Sequence, residues 1–210
     1  KSLLGIVTIA TIGFATTAQN VNIPDANFKA YLVNNNAIDT NLDDEIQVSE
    51  ANYFAGEISC SGLGITNMTG IEAFTSLTSL LCGNNAITSM DLSQNVALET
   101  LRFGGNSISG FFDFSPNPNL TYLDFVSNNI TSIDLSQNSA LSYLSCDNNM
   151  LNALDISQNS AITFLFCGYN NISVLDLSQN TTLEQIYCAG NNIEFLDISQ
   201  NTGCTDLECY

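Results

Sequence analysis

Oxygen-bearing side chains recur at alternate positions in the segment DTNLDDEIQVSE, residues 39–50. Carboxylate and amide oxygens with this spacing are the ligands that Ca²⁺ takes in twelve-residue loops. The first, third, fifth and twelfth residues would each contribute a side chain, and the seventh would contribute its main-chain carbonyl. The calcium ligands predicted in this way are Asp39, Asn41, Asp43, Glu45 and Glu50.

The same segment supports two interpretations. It resembles an EF-hand loop, with Ile46 at the apolar eighth position, although Asp44 occupies the sixth position, where glycine normally makes the turn. Aspartate tolerates left-handed backbone better than most residues do. The alternative is a helical cap of similar shape that closes a repeat protein without metal. The first interpretation implies a structural calcium ion, and the second requires no cofactor.

A unit of 21 residues repeats along the chain from about residue 56. Copies at 138–158, 159–179 and 180–200 share the pattern N-x-x-L-x-x-L-x-C-x-x-N-x-I-x-x-L-D-L-S-Q. Earlier copies cover 74–94, 95–116 and 117–137, and the middle one of these carries an extra residue near Phe111. A unit this short cannot bury its own apolar face, so successive units are expected to stack around a shared core.

The L-x-x-L-x-C-x-x-N-x-I core resembles the leucine-rich-repeat family, and cysteine in a leucine slot resembles the cysteine-ladder internalins. The resemblance implies a right-handed coil with a parallel β-sheet on its concave face and turns or 3₁₀ segments on its convex face. A small α-helical cap would precede the repeats, because Phe28, Tyr31 and Leu32 follow a helical pattern. We expect the cap at residues 19–55 and the repeats at 56–210, with the last copy truncated.

Two polar residues recur once per unit. The asparagine of C-x-x-N would satisfy backbone groups where each coil bends. The aspartate of L-D-L-S-Q could form an acidic stripe that binds cations, or a series of turns in which it accepts backbone hydrogen bonds, and we favour the turns. The asparagines are Asn85, Asn106, Asn128, Asn149, Asn170 and Asn191, and the aspartates are Asp91, Asp113, Asp134, Asp155, Asp176 and Asp197.

The seven cysteines are expected to be buried, reduced thiols. Six of them share one repeat position, and Cys204 occupies a leucine slot. In-register side chains on parallel strands lie ~4.8 Å apart, whereas the Cβ atoms of a disulfide lie ~3.8 Å apart. Phe103 and Phe125 fill the same position in two units, which indicates that it needs an apolar side chain. The six are Cys60, Cys82, Cys146, Cys167, Cys188 and Cys209.

Aromatic side chains cluster at repeat positions that should face outward from the concave sheet. Tyr122, Tyr143 and Phe164 take the sixth position of consecutive units. Exposed apolar patches of this kind mark interaction surfaces, although neighbouring aromatic residues can also simply stabilise adjacent strands. We predict a ligand-binding surface for a protein or a glycan. Its residues are Leu81, Arg102, Tyr122, Val126, Tyr143, Phe164, Phe166 and Tyr187.

Composition excludes several functions. The net charge of −18, with three Lys and Arg against 21 Asp and Glu, opposes binding to nucleic acid and to anionic membranes. Histidine is absent, no nucleophile–base pair or phosphate loop is recognisable, and the acidic residues recur with the repeat. We therefore expect a monomeric, non-enzymatic protein that does not insert into membranes.

The first 18 residues predict a secretory signal peptide. Basic Lys1 precedes an apolar run, and small residues up to Ala18 follow it. We therefore expect a secreted or cell-surface protein of a bacterium, with an adhesin-like function. The alternative is a non-catalytic spacer or targeting segment of a longer surface protein or exported enzyme.

Overall fold

The computed structural model describes residues 19–210, so the predicted signal peptide lies outside the described residues. Two short helices open the chain, α1 at Ala26–Val33 and α2 at Val48–Tyr53. The Asp25 side chain accepts hydrogen bonds from the backbone N–H groups of Asn27 and Phe28, which satisfies two free donors at the start of α1. Phe28 and Leu32 are fully buried and cover the first coil of the repeats.

The repeats form one parallel sheet of eight short strands. Its order is β1-β2-β3-β5-β7-β8-β9-β10, so each strand pairs with the strand of the next coil. The strands are β1 Glu57–Ser59, β2 Ser79–Leu81, β3 Thr100–Arg102, β5 Tyr122–Asp124, β7 Tyr143–Ser145, β8 Phe164–Phe166, β9 Gln185–Tyr187 and β10 Asp206–Glu208. This parallel solenoid confirms the predicted fold class.

The middle residue of each strand points into the core. Leu123, Leu144 and Leu165 are fully buried, whereas Leu207 of the last strand is 36% exposed. The spacing of one unit brings identical positions into register, as in the pairs Leu123–Leu144 and Leu144–Leu165. The apolar side chains therefore stack into one continuous core, because each coil buries the apolar face of its neighbour.

The predicted cysteine position lies inside this core. Cys60, Cys82, Cys146, Cys167 and Cys188 are buried free thiols, while Cys209 in the last strand unit is exposed. Burial raises the pKa of the Cys188 thiol to about 11, and it also raises the pKa values of the Cys82, Cys146 and Cys167 thiols well above their usual range. Because the thiolate is the reactive form, these buried cysteines act as small apolar side chains.

The return path consists mainly of turns, with a 3₁₀ segment at Ile71–Ala73. One region departs from this pattern, because β4 (Ser109–Asp113) and β6 (Asn129–Asp134) form a second, two-stranded parallel sheet that the sequence did not predict. The pairing is irregular between Gly110 and Phe111, close to the predicted extra residue. Gly110 has φ +82°, which accommodates the insertion at little steric cost.

Four phenylalanines pack together beneath this second sheet. Phe103 and Phe125, which replace cysteines, stack with ring centroids 5.7 Å apart. Phe112 and Phe114 from the longer coil complete the cluster, with centroids 4.8 Å apart from each other. Phe103 and the extra residue are in the unit 95–116, and Phe125 is in the next unit. The larger core side chains and the longer return path therefore occur in adjacent coils, where the rings fill the wider core.

Candidate functional site: the outward face of the sheet

The first and third residues of each strand lie on the outward face of the eight-stranded sheet, which is the concave face in this fold class; we call it the sheet face. The first residues form one row, and the third residues form a second row beside it. The structure brings all eight predicted binding residues to this face or its edge. Tyr122, Tyr143 and Phe164 are in the first row; Leu81, Arg102, Phe166 and Tyr187 are in the second; Val126 follows β5 beyond the second row.

The aromatic side chains are half-buried because they stack on one another. Tyr122 and Tyr143 are nearly parallel, with ring centroids 4.1 Å apart and an interplanar angle of 4°. Tyr143 also contacts Phe166 at 5.5 Å, and Phe166 stacks on Tyr187 at 5.0 Å. The five rings, with Phe164 as the fifth, form one connected surface across four coils, which we call the aromatic row. Stacking orders the rings before any ligand arrives, which lowers the entropic cost of binding.

Arg102 lies at one end of the aromatic row. Its Nε lies 3.3 Å from the Asp124 carboxylate, and its guanidinium carbon lies 5.5 Å from the centre of the Tyr122 ring. Half of the side chain remains exposed. A depression of about 390 Å³ adjoins this position, lined by Leu81, Arg102, Asp124 and Val126 among others. Polar and apolar groups therefore meet at this end of the sheet face.

Tyr169 lies just beyond the second row and is not among the eight predicted binding residues. It has φ +53° and is 64% exposed. The equivalent residues of other coils are also left-handed, but they are the small residues Asn84, Gly105, Ser127, Asn148 and Gly190. A Cβ atom at Gly190 would come within 2.7 Å of the Tyr169 ring, so that glycine makes room for it. An aromatic residue in left-handed backbone is uncommon and is strained.

Replacing Tyr169 by Asn is expected to raise the free energy of unfolding by about 1 kcal/mol, because asparagine adopts left-handed backbone more easily than tyrosine. Chemical denaturation of the two proteins would measure the difference. The control is Asn148→Ala, at the same position of the preceding coil. It should lower the free energy of unfolding, because alanine adopts left-handed backbone less easily than asparagine. Equal or lower stability of the Tyr169→Asn protein would show that packing of the ring outweighs the strain.

The five predicted calcium ligands lie in the cap, away from the sheet face. Among residues 19–210, no group of three or more Cys, Asp or Glu side chains is placed to hold a metal ion. Buried Asp39 accepts hydrogen bonds from the backbone N–H groups of Leu42, Asp43 and Asp44. The side-chain amide of Asn41 donates to Asp43, and the side chain of Glu45 pairs with Lys29 at 2.6 Å. Asp44 has the predicted left-handed backbone, with φ +61°.

Glu50 closes the loop through hydrogen bonds. Its carboxylate accepts bonds from both the N–H and the hydroxyl of Thr40, from the N–H of Asn41 and from the N–H of Gln47. Burial is the largest single influence on the pKa of Glu50, and it raises that pKa. The hydrogen bonds together outweigh burial, so the pKa of Glu50 lies below its usual value. Gln47 donates from its side chain to the Asp43 carboxylate. The side chains of Asp39, Asp43 and Glu50 thus already accept hydrogen bonds within the loop, so the predicted calcium ion would have to bind in competition with these donors.

We expect the melting temperature to be the same in millimolar calcium and in chelator. Glu50→Ala should lower the free energy of unfolding by about 1–2 kcal/mol in both conditions, because it removes the acceptor of several backbone N–H groups. Differential scanning calorimetry would measure both effects. A melting temperature that rises with calcium in the parent, and fails to rise after Asp43→Asn, would instead support the predicted ion.

The aspartates of L-D-L-S-Q form turns, as favoured from the sequence. In each of six coils the carboxylate accepts a hydrogen bond from the backbone N–H of the serine two residues later, for example Asp155 from Ser157 at 3.0 Å. This bond is the main cause that lowers the pKa of Asp155. The six aspartates lie on the return path, about half a unit from the strands, and are exposed except for Asp134, which is partly exposed. Their recurrence therefore reflects the turn.

The asparagines of C-x-x-N bond the coils to each other, as predicted. Asn149 accepts from the N–H of Ile130 in the preceding coil and donates to the carbonyls of Phe125 and Cys146. A second series of asparagines, at the first position of the unit, is buried more deeply and was not assigned a role. We call it the turn ladder. Its members are Asn95, Asn117, Asn138, Asn159, Asn180 and Asn201.

Each side chain of the turn ladder reaches into the preceding coil. The Asn159 amide donates to the carbonyls of Leu135 and Asn138, at 3.0 and 2.8 Å. Its side-chain oxygen, like that of the other five members, is buried with no hydrogen-bond partner within residues 19–210. The two donated bonds must therefore outweigh the cost of one buried acceptor without a partner. Both asparagine series thus have structural functions, and the sheet face remains as the candidate site.

No helix in the described part of the chain is long and apolar enough to cross a membrane. Comparison with protein-family models gives no match, and comparison with curated proteins gives none either.

Solved structures do resemble the chain. The functional domain of InlJ from Listeria monocytogenes, which includes a cysteine ladder, is 35% identical, with a TM-score of 0.74. The match covers 92% of this chain and 48% of that one, so the chain spans about half the length of that relative.

More distant structures show the fold alone. Internalin C2 of the same bacterium is 24% identical over 88% of this chain and 92% of its own, with a TM-score of 0.58. The plant peptide hormone receptor RGFR1, solved in complex with RGF2, is 20% identical over 73% of this chain and 26% of its own, with a TM-score of 0.59. With the parallel sheet and the buried cysteine series, the 35% identity to the cysteine-ladder domain of InlJ identifies the chain as a leucine-rich-repeat protein of the internalin-like, cysteine-ladder type.

Proposed function

We propose that the chain is a non-catalytic binding module that recognises an extracellular ligand, most simply a protein, through its sheet face. The single observation that carries this proposal is the aromatic row, five connected rings on a sheet face that no other described element covers. Aromatic side chains are enriched at binding hot spots because they bury a large area at little entropic cost. The complex of the plant receptor with RGF2 supports a protein ligand by analogy of fold.

The proposal includes an extracellular location. The N-terminal residues have the basic, apolar and small-residue order of a signal peptide, and the similar internalins come from a bacterium. Export would place the sheet face where it can contact other cells or host surfaces, which is the adhesin-like role. Fractionation of cells that express the chain with and without residues 1–18 would test export. Retention of both forms inside the cell would contradict it.

Binding to arrays of extracellular proteins and glycans would test the function. The variant Tyr122→Ser, Tyr143→Ser, Phe164→Ser removes three rings of the aromatic row. A matched control, Tyr53→Ser, Phe111→Ser, Phe195→Ser, removes three exposed rings that lie off the sheet face. We expect the first variant to lose at least tenfold in affinity, which is ~1.4 kcal/mol, and the control to bind like the parent.

Circular dichroism and melting temperature would verify that both triple variants fold. Binding by the first variant equal to that of the parent would refute a site on the sheet face. A folded parent that captures no array member would favour the spacer function.

A further inference from the structure

Charge on the sheet face is strongly one-sided. Of the three basic residues in the sequence, Lys1 lies outside the described part and Lys29 is paired with Glu45 in the cap, which leaves Arg102 on the sheet face. The carboxylates on this face or its edge are Glu57, Asp124, Asp147, Asp206 and Glu208. A ligand that covers the aromatic row would therefore meet a negative potential, which favours a cationic partner.

Arg102 shows how a cation can be held on this surface. Its guanidinium lies over the outer face of Tyr122, the first ring of the aromatic row, and pairs with the Asp124 carboxylate. Ring and carboxylate attract the same positive group, the ring through its quadrupole and the carboxylate through its charge. The other face of Tyr122 is stacked on Tyr143. At the Tyr122 end of the aromatic row, the chain itself therefore supplies the cation, the guanidinium of Arg102.

The opposite end of the aromatic row also has an aromatic ring and nearby carboxylates, but it has no cation among the described residues. Tyr187 is the last ring and stacks on Phe166. Its hydroxyl donates to the Asp206 carboxylate at 2.7 Å, and Glu208 is its register partner on β10. Within residues 19–210, neither of the two ion pairs and no cation–ring contact involves this end. The ring of Tyr187 therefore lies beside two carboxylates of β10 that no cation of the described residues compensates.

We infer that the sheet face recognises a segment of a partner protein that carries arginine or lysine side chains, one of which lies over Tyr187 beside the carboxylates of Asp206 and Glu208. This inference rests on the proposed function, and it names the chemistry of the partner. From β5 to β9 the row crosses three strand spacings, or roughly 14 Å at ~4.8 Å each. An extended segment of four or five residues spans this distance, since each residue advances ~3.3 Å.

A synthetic peptide in which arginine alternates with serine over ten residues is the probe. Its analogue with citrulline in place of arginine has nearly the same shape but no charge. We expect the arginine peptide to bind the parent and the citrulline peptide to bind at least tenfold more weakly, as measured by calorimetric titration at ~0.15 M salt.

Two variants with equal loss of charge locate the site. Asp206→Asn with Glu208→Gln changes the sheet face, and Asp155→Asn with Asp176→Asn changes the return path. We expect the first pair to weaken arginine-peptide binding roughly tenfold and the second to leave it within about twofold. Equal weakening by both pairs would overturn the inference, because it would mean diffuse attraction to an acidic protein.

The outcomes also separate this inference from the proposed function. If a folded parent fails to bind the arginine peptide but binds an array ligand that depends on Tyr122, Tyr143 and Phe164, the cationic partner is refuted and the binding function stands. If the triple aromatic variant binds array ligands like the parent, the proposed function itself is refuted. The melting temperature of each charge variant, measured in parallel, excludes unfolding as the cause of any loss.

Discussion

Replacing Asn159 by Asp is expected to destabilise the solenoid by roughly 4 kcal/mol at pH 7, although the two side chains have nearly the same size and shape. The Asn159 amide is fully buried and donates to two carbonyl oxygens of the preceding coil. Aspartate would place a carboxylate oxygen against those acceptors, and burial without a donor raises a carboxyl pKa by about 3 units or more. One unit corresponds to ~1.36 kcal/mol.

The sign of the pH dependence distinguishes this mechanism from simple misfit. The carboxyl introduced at residue 159 would have a folded-state pKa above its unfolded value of ~3.9. The penalty should therefore grow as the pH rises from about 4 through the folded-state pKa. Below pH 4 it should fall to the ~1–2 kcal/mol of one lost hydrogen bond, because a protonated carboxyl donates one bond where the amide donates two. Urea denaturation at several pH values would measure it. The control is Asn152→Asp, an exposed site in the coil before, which should show little change. A pH-independent loss would contradict the mechanism.

Most of the fold could be predicted from the repeat period. A fixed spacing of 21 residues requires identical positions to lie in register, so Leu123, Leu144 and Leu165 had to stack in the core and Tyr122, Tyr143 and Phe164 had to share the opposite face. The cysteine position followed from the same argument, because Phe103 and Phe125 could replace cysteine only in an apolar environment. These predictions needed no knowledge of long-range contacts beyond the period itself.

The burial of the turn ladder could not be predicted from the sequence, because an asparagine that follows L-D-L-S-Q is typical of an exposed turn. Asn138 and Asn159 are buried only because each coil covers the turn of the one before it, and nothing in a single unit reveals that. The calcium prediction depends on contacts of the same kind. Matching residue types to a template counts the oxygens of Asp43 and Glu50, but it cannot show that Gln47 and the backbone of Thr40 already donate to them.

The strain at Tyr169 could in part have been read from the alignment of the units. Asn, Gly and Ser fill the equivalent positions of the other coils, which indicates left-handed backbone, and a tyrosine among them is the exception. What the sequence could not reveal is the matching space above Gly190. A costly aromatic residue at the edge of the sheet face is consistent with the proposed binding function, since strain often accumulates at functional sites.

We expect a substitution in the phenylalanine cluster to be strongly destabilising even though it restores the consensus of the repeat. Phe125→Cys returns the unit to its common pattern, and by that criterion alone it should be neutral or stabilising. In the structure, however, the Phe125 ring is fully buried and packs on Phe103 and Phe114, at 5.7 and 5.6 Å. Cysteine would leave a cavity, because the longer coil with Phe112 and Phe114 is held apart by the rings and by the second sheet.

We expect Phe125→Cys to lower the free energy of unfolding by about 3 kcal/mol, near the lower end of the range for removing a buried phenylalanine ring. Phe195→Cys makes the same chemical change at a ring that is 79% exposed, and it should cost little. Urea denaturation under reducing conditions would compare both proteins with the parent. A Phe125→Cys protein as stable as the parent would mean that the coils close around a smaller side chain, and that the repeat pattern, rather than the local packing of this cluster, determines the stability of the core.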